Sequence, residues 1–196
     1  MSAIVKLADN SSVYEVAKVS PLSIATQLSK KFDNHIFLKR EDDQIIHSFK
    51  LRGAYQKMSS MSDAQKTKGV IASSAGNHAQ GVALGASKLN IKAIIVMPTS
   101  TPQIKVRAVQ ELGAEVILYG DVYDDAFVHA KKLESEKDLC FISPYDDFEV
   151  IAGQATVAKE ILTQLDQIDY VFSPVGGAGL SREWHAILSI MLHTLK

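Results

Sequence analysis

The sequence predicts an α/β fold built on a mainly parallel sheet. Short β-branched runs alternate with longer stretches of helical periodicity, and several of the short runs are apolar on both faces, as in a sheet covered by helices. Their repeated β-α-β order argues for this class. No internal repeat or low-complexity segment interrupts the pattern.

Taken in order, residues 35–39 form the first strand-like run. Ser62 and Gln65, three residues apart, predict a capping box that opens a short helix. Residues 69–73 read as a strand, followed by Gly76 and an Ala- and Leu-rich helix over 77–89. The next strand covers 92–97. A helix over 102–112 follows, with Thr101 as its cap, Pro102 at its start and Gly113 at its end. Residues 115–118 are a strand, 123–136 a helix, 139–142 a strand, 148–165 a helix and 170–173 a last strand. In the tail, Trp184, Ile187, Leu188, Met191, Leu192 and Leu195 recur at the spacing of an amphipathic helix that Ser181 can cap.

The 196 residues carry 46% hydrophobic and 22% charged side chains with a formal net charge of −1. That balance gives no reason to expect nucleic acid or an anionic membrane as partner. The single cysteine, Cys140, forms no intrachain disulfide and reads as a small buried apolar residue on a strand. The first residues lack a secretory pattern, and no apolar run approaches the ~20 residues that span a bilayer. A cytoplasmic location is the expectation. The six histidines show no metal-binding spacing, so no metal is expected. His129 reads as a solvated side chain.

Three segments carry chemistry. Lys50, within Ser48-Phe49-Lys50-Leu51-Arg52-Gly53-Ala54, stands at a helix start; a sheltered lysine loses its proton more readily and can form a Schiff base. Ser73-Ser74-Ala75-Gly76-Asn77-His78 joins a strand to a helix, where free backbone N–H groups favour a carboxylate. The plain alternative is a capped turn in which Gly76 relieves backbone strain. Gly176-Gly177-Ala178-Gly179-Leu180 follows a strand, and its small residues let N–H groups converge on an anion. It is not a dinucleotide fingerprint, because Arg182 stands where a glycine or alanine is required.

In this order and spacing the three segments resemble fold-type-II pyridoxal-phosphate enzymes. Val19-Ser20-Pro21-Leu22, Leu38-Lys39-Arg40-Glu41-Asp42, His47 through Tyr55, Val96-Met97-Pro98 and Val150-Ile151-Ala152-Gly153-Gln154 are similar to threonine dehydratase, His47 to its biosynthetic form. The resemblance covers about residues 13–180.

The resemblance implies pyridoxal 5′-phosphate held by Lys50, with Phe49 beside its ring, Asn77 on the ring oxygen, and Gly176, Gly177, Ala178, Gly179 and Leu180 around its phosphate. Ser74, Ala75, Gly76 and His78 would bind the substrate carboxylate. The implied activity is that of an ammonia-lyase in isoleucine biosynthesis, converting L-threonine, and weakly L-serine, to 2-oxobutanoate (or pyruvate) and ammonia. Ala75 stands where serine racemases carry a second serine, which favours dehydration over racemisation. It also implies a homo-oligomer, a tetramer at full length. A large cofactor-binding domain, residues 1–51 with 150–196, would be incomplete, with a smaller α/β domain inserted over 52–149 and no regulatory domain.

The resemblance stops at Leu180, and the divergent tail fits a frameshifted or truncated gene, so an inactive fragment of such an enzyme stands as the competing expectation. Another fold-type-II member, such as a serine dehydratase or racemase, a threonine synthase or a cysteine synthase relative, is the other.

Overall fold

The computed structural model describes residues 3–173. Four parallel strands, β3 (Val70–Ser73), β4 (Ala93–Met97), β5 (Glu115–Leu118) and β6 (Cys140–Phe141), form one sheet in the order β5-β4-β3-β6. Val70 lies opposite both Ala93 and Cys140, so β3 is central. All four of its residues are buried, which explains why its sequence is apolar without alternation.

The strands divide their side chains between two helical layers. Val70, Ala72, Ile95 and Met97 pack with Val82 and Ala83 of α5 (Asn77–Lys88) and Val106 and Val109 of α6 (Gln103–Glu111). Ile71 and Val96 point the other way, onto Ala126, Ala130 and Leu133 of α7 (Tyr123–Glu136).

The remaining elements lie around α3 (Lys50–Ser59), which packs between α5 and α8 (Phe148–Gln164). Both contacts need glycine. A Cβ at Gly81 would lie 2.9 Å from the Lys50 carbonyl oxygen, and one at Gly153 would lie 2.6 Å from that of Arg52. Helix α1 (Ala3–Asp9) covers the far side of α8, through Ala8 on Ala155 and Ala158. The capping box at Ser62 forms as expected and opens α4 (Asp63–Lys68).

Several expectations are corrected. The run at 35–39 shortens to β2 (Phe37–Lys39) and pairs antiparallel with β1 (Leu22–Ile24), apart from the parallel sheet; α2 (Thr26–Phe32) connects them. Residues 170–173 form no strand: no described segment lies alongside to complete a ladder, and Tyr170 and Phe172 are 81% and 93% exposed. Pro102, rather than Thr101, stands at the cap of α6. Gly113 does take a positive φ of 94° just beyond that helix. Cys140 lies on a strand but is only half-buried. His129 is half-buried, with one ring face stacked on Tyr119 at a centroid distance of 3.8 Å, so it is only partly solvated. Residues 174–196, with the glycine-rich segment and the tail periodicity, lie outside the described residues.

Candidate active site

In parallel sheets, ligands collect at the carboxyl ends of the strands. Here β3 ends at Ser73, the chain turns through Ser74, Ala75 and Gly76, and α5 begins at Asn77. The next strand over, β6, leads into Ser143, Pro144 and Tyr145. Lys50, the first residue of α3, projects between these two loops.

A cleft of about 270 Å³ opens there. Of the residues nominated from sequence, Phe49, Lys50, Ser74, Gly76, Asn77 and His78 line it. Ala75 is half-buried in the same turn without lining the cleft. Gly176, Gly177, Ala178, Gly179 and Leu180 are not among the described residues.

Lys50 is buried, and its Nζ donates a hydrogen bond to the Pro144 carbonyl at 2.8 Å. His78 is wholly enclosed, and its Nε2–H donates to the Ile142 carbonyl at 3.0 Å. Burial, together with the neighbouring Lys50 charge, lowers its pKa to about 4 although the Ile142 bond favours the proton. The ring is therefore neutral at physiological pH, with Nδ1 as a buried acceptor that has no hydrogen-bond partner among the described residues. The Ser73 hydroxyl is likewise buried and unpartnered. Gly76 has φ −138°, so it relieves no left-handed strain, and a Cβ there would meet nothing within 4 Å. The turn is open toward the cleft. Ser74 Oγ accepts from the Gly76 N–H at 3.2 Å and shapes it.

One deeper feature escaped the sequence reading. Arg52, fully buried two residues after Lys50, donates to both carboxylate oxygens of Glu41 at 2.9 Å and to Glu160 Oε1 at 2.6 Å. Lys39 Nζ lies 2.6 Å from the other oxygen of Glu160. Burial disfavours the Arg52 charge, but the two carboxylates more than offset this and raise its pKa. Burial also works against the Glu160 charge, yet Arg52 and Lys39 hold its pKa below the usual range. This network ties β2 and α8 to the start of α3, and so fixes the base of Lys50. Charged residues next to apolar ones within helical stretches, Arg52 after Leu51 and Glu160 before Ile161, were the available signal.

The model of the family described as "Pyridoxal-phosphate dependent enzyme" matches residues 14–182. The chain belongs to the pyridoxal-phosphate dependent enzymes. Among relatives, it is 55% identical over 181 residues to the biosynthetic L-threonine dehydratase of Haemophilus influenzae, covering 92% of this chain and 35% of that protein. Among solved structures, the processed form of threonine deaminase isoform 2 from Solanum lycopersicum superposes with a TM-score of 0.91 at 49% identity, covering 95% of this chain and 52% of that one. Maize serine racemase superposes at 0.89 with 29% identity, covering 96% and 57%. The chain thus spans about a third of the length of the curated relatives it matches.

The cleft suits the family's cofactor. It holds a primary amine at its base, two buried polar atoms with no hydrogen-bond partner among the described residues and an open glycine turn, the fittings expected around a polar aromatic aldehyde. Among the described residues no group of His, Cys, Asp and Glu could hold a metal ion. No described helix is long and apolar enough to cross a membrane.

Proposed function

We propose that this chain carries the Lys50 side of a threonine dehydratase active site. The reaction takes L-threonine, and more weakly L-serine, to 2-oxobutanoate (or pyruvate) and ammonia, the first step of isoleucine biosynthesis. The observation that carries the reading is the buried Lys50 amine facing the Ser74–His78 turn across one cleft. Identities of 46–55% to relatives named threonine dehydratase support it.

Bound pyridoxal phosphate would supply an electron sink for negative charge at the substrate Cα. Lys50 would hold that cofactor through its amine and would serve as the base for the Cα proton. Phe49 would lie on the ring side of the site, and the Asn77 side-chain amide would serve the ring oxygen. Backbone N–H groups around Ser74, Ala75, Gly76 and His78 take the substrate carboxylate, helped by the positive end of α5. Gly176, Gly177, Ala178, Gly179 and Leu180 are assigned to the phosphate. Ala75 offers no hydroxyl to return a proton to the opposite face of Cα, which favours elimination over racemisation. Threonine and serine differ by one methyl, worth about 1–3 kcal/mol in a pocket, so serine turnover is weak rather than absent.

The same reading divides the chain into residues 1–51 with 150–196 and an inserted unit over 52–149, and the four parallel strands falling between Val70 and Phe141 support that division. A cytoplasmic homo-oligomer, tetrameric at full length, completes it.

The test is 2-oxobutanoate release from L-threonine by the cofactor-loaded chain, with phosphohomoserine and O-acetylserine alongside. Threonine-dependent product that disappears in Lys50→Ala supports the reading. Turnover of either alternative substrate in preference to threonine overturns it.

A further inference from the structure

Gln154 lies inside the crossing of α3 and α8 and is only 2% exposed. Neither its side-chain oxygen nor its nitrogen has a hydrogen-bond partner among the described residues. The other buried polar side chains of this crossing are satisfied. Gln56 donates to Glu149 and accepts from Ser11. Thr156 accepts from Arg52 and donates to the Gly153 carbonyl. A carboxamide shut away from water with both halves open is costly, and an apolar side chain would fill the same space without that cost. The amide rests against Gly53, where a Cβ would lie 2.5 Å from its Nε2. Gly53 shares a face of α3 with Lys50, so the amide stands about one turn, or about 5 Å, along the helix from the lysine.

The course of the chain after α8 indicates what can reach this amide. Ala158, one turn after Gln154 on the same face of α8, packs with Ala155 and Ala8, and Ile168 and Val171 lie against that cluster. The chain that leaves α8 at Gln164 therefore turns back along it. From Ala158 to Gln154 the helix rises about 6 Å, a distance that an extended chain covers in about two residues. The peptides that follow Val171 and Ser173 thus come next to the level of Gln154. A peptide group offers one donor and one acceptor, the pair that a carboxamide can take up together. Just beyond stand Gly176-Gly177-Ala178-Gly179, whose N–H groups suit an anion.

We propose that the Gln154 carboxamide pairs with peptide groups of residues 174–177 and so sets where the anion-cradling segment stands relative to Lys50. Residues 174–177 lie outside the described residues. That the anion is a cofactor phosphate rests on the reading above; the anchor itself rests on the buried amide. Gln154 acts through the segment it holds and is a positioning residue.

Gln154→Met keeps the length of the side chain and removes the amide. Pyridoxal phosphate and pyridoxal, which differ only by the phosphate, are titrated against the chain and followed by absorbance of the lysine adduct. The substitution weakens pyridoxal phosphate roughly tenfold and leaves pyridoxal within about twofold. An equal loss for both compounds, or no loss for either, overturns the proposal. A second measurement needs no cofactor. In hydrogen exchange of the unloaded chain, the amides of residues 174–180 exchange about fivefold or more faster in Gln154→Met, while those of α3 and α8 keep their rates. Unchanged exchange over 174–180 overturns the anchor. Acceleration shared equally by α3 and α8 also overturns it, because that reports general loss of packing. A parent chain that binds neither compound contradicts the cofactor reading alone, and hydrogen exchange then decides the anchor.

Discussion

His78 is neutral because its surroundings cannot solvate a charge, and that has a measurable cost in acid. Its pKa falls from 6.5 unfolded to about 4 folded. Between those values the unfolded chain binds the extra proton, so stability is fully present above pH 6.5 and declines as pH falls toward 4. The decline amounts to about 3 kcal/mol, from the size of the shift. Glu160, with its lowered pKa, acts in the same direction at lower pH still. Urea unfolding at pH 7 and pH 4.5 should show the loss, and His78→Asn should flatten the upper part of the curve. An unchanged pH profile in His78→Asn would contradict the assignment. Lys50, Asn77 and His78 could be read in the sequence because their chemistry and order are unusual. Pro144 and Tyr145 could not, because a proline and a tyrosine in a loop are ordinary until the fold brings them to a lysine more than ninety residues away.

Helix α3 decides where the amine stands, and its two close crossings make specific demands. Gly81→Ala puts a methyl 2.9 Å from the Lys50 carbonyl oxygen, a backbone atom that cannot give way. The expected cost is about 1–3 kcal/mol in urea unfolding, with loss of cofactor labelling at Lys50. Arg52→Ala leaves buried Glu160 with Lys39 as its remaining ion-pair partner among the described residues and deprives Glu41 of its bidentate partner. Breaking such a buried pair costs about 3–5 kcal/mol. A cost below 1 kcal/mol, by the same measurement, would mean that the network does not hold α3. The period of the apolar residues was enough to locate α5, α7 and α8 within a residue or two. It missed α2, whose seven residues include no buried side chain and so carry no inward stripe. Residues 170–173 mislead for the converse reason: β-branched and aromatic residues suggest a strand, but pairing requires a neighbour that no local pattern reports.

The assembled molecule buries its sheet well and leaves apolar surface elsewhere. Tyr170 and Phe172 are largely exposed, as are Ile24, Leu28, Phe32 and Leu38 around the β1–β2 pair. Patches of this kind favour association. The chain should therefore elute larger than a monomer in size-exclusion chromatography at micromolar concentration, and Tyr170→Ser with Phe172→Ser should shift it toward the monomer; a clean monomer in the parent chain would contradict this. The α/β class and the β3–α5 junction were readable because each follows from residues close together in sequence. The Arg52 network and the Lys50–Pro144 contact were not, because each joins segments a hundred or so residues apart. The most direct test of the site is chemical. Pyridoxal phosphate is added to the purified chain, the adduct is reduced with borohydride, and the modified lysine is mapped by mass spectrometry. One equivalent at Lys50, absent in Lys50→Ala, is the expected result. Labelling scattered over surface lysines would show that the cleft does not assemble a cofactor site in this chain.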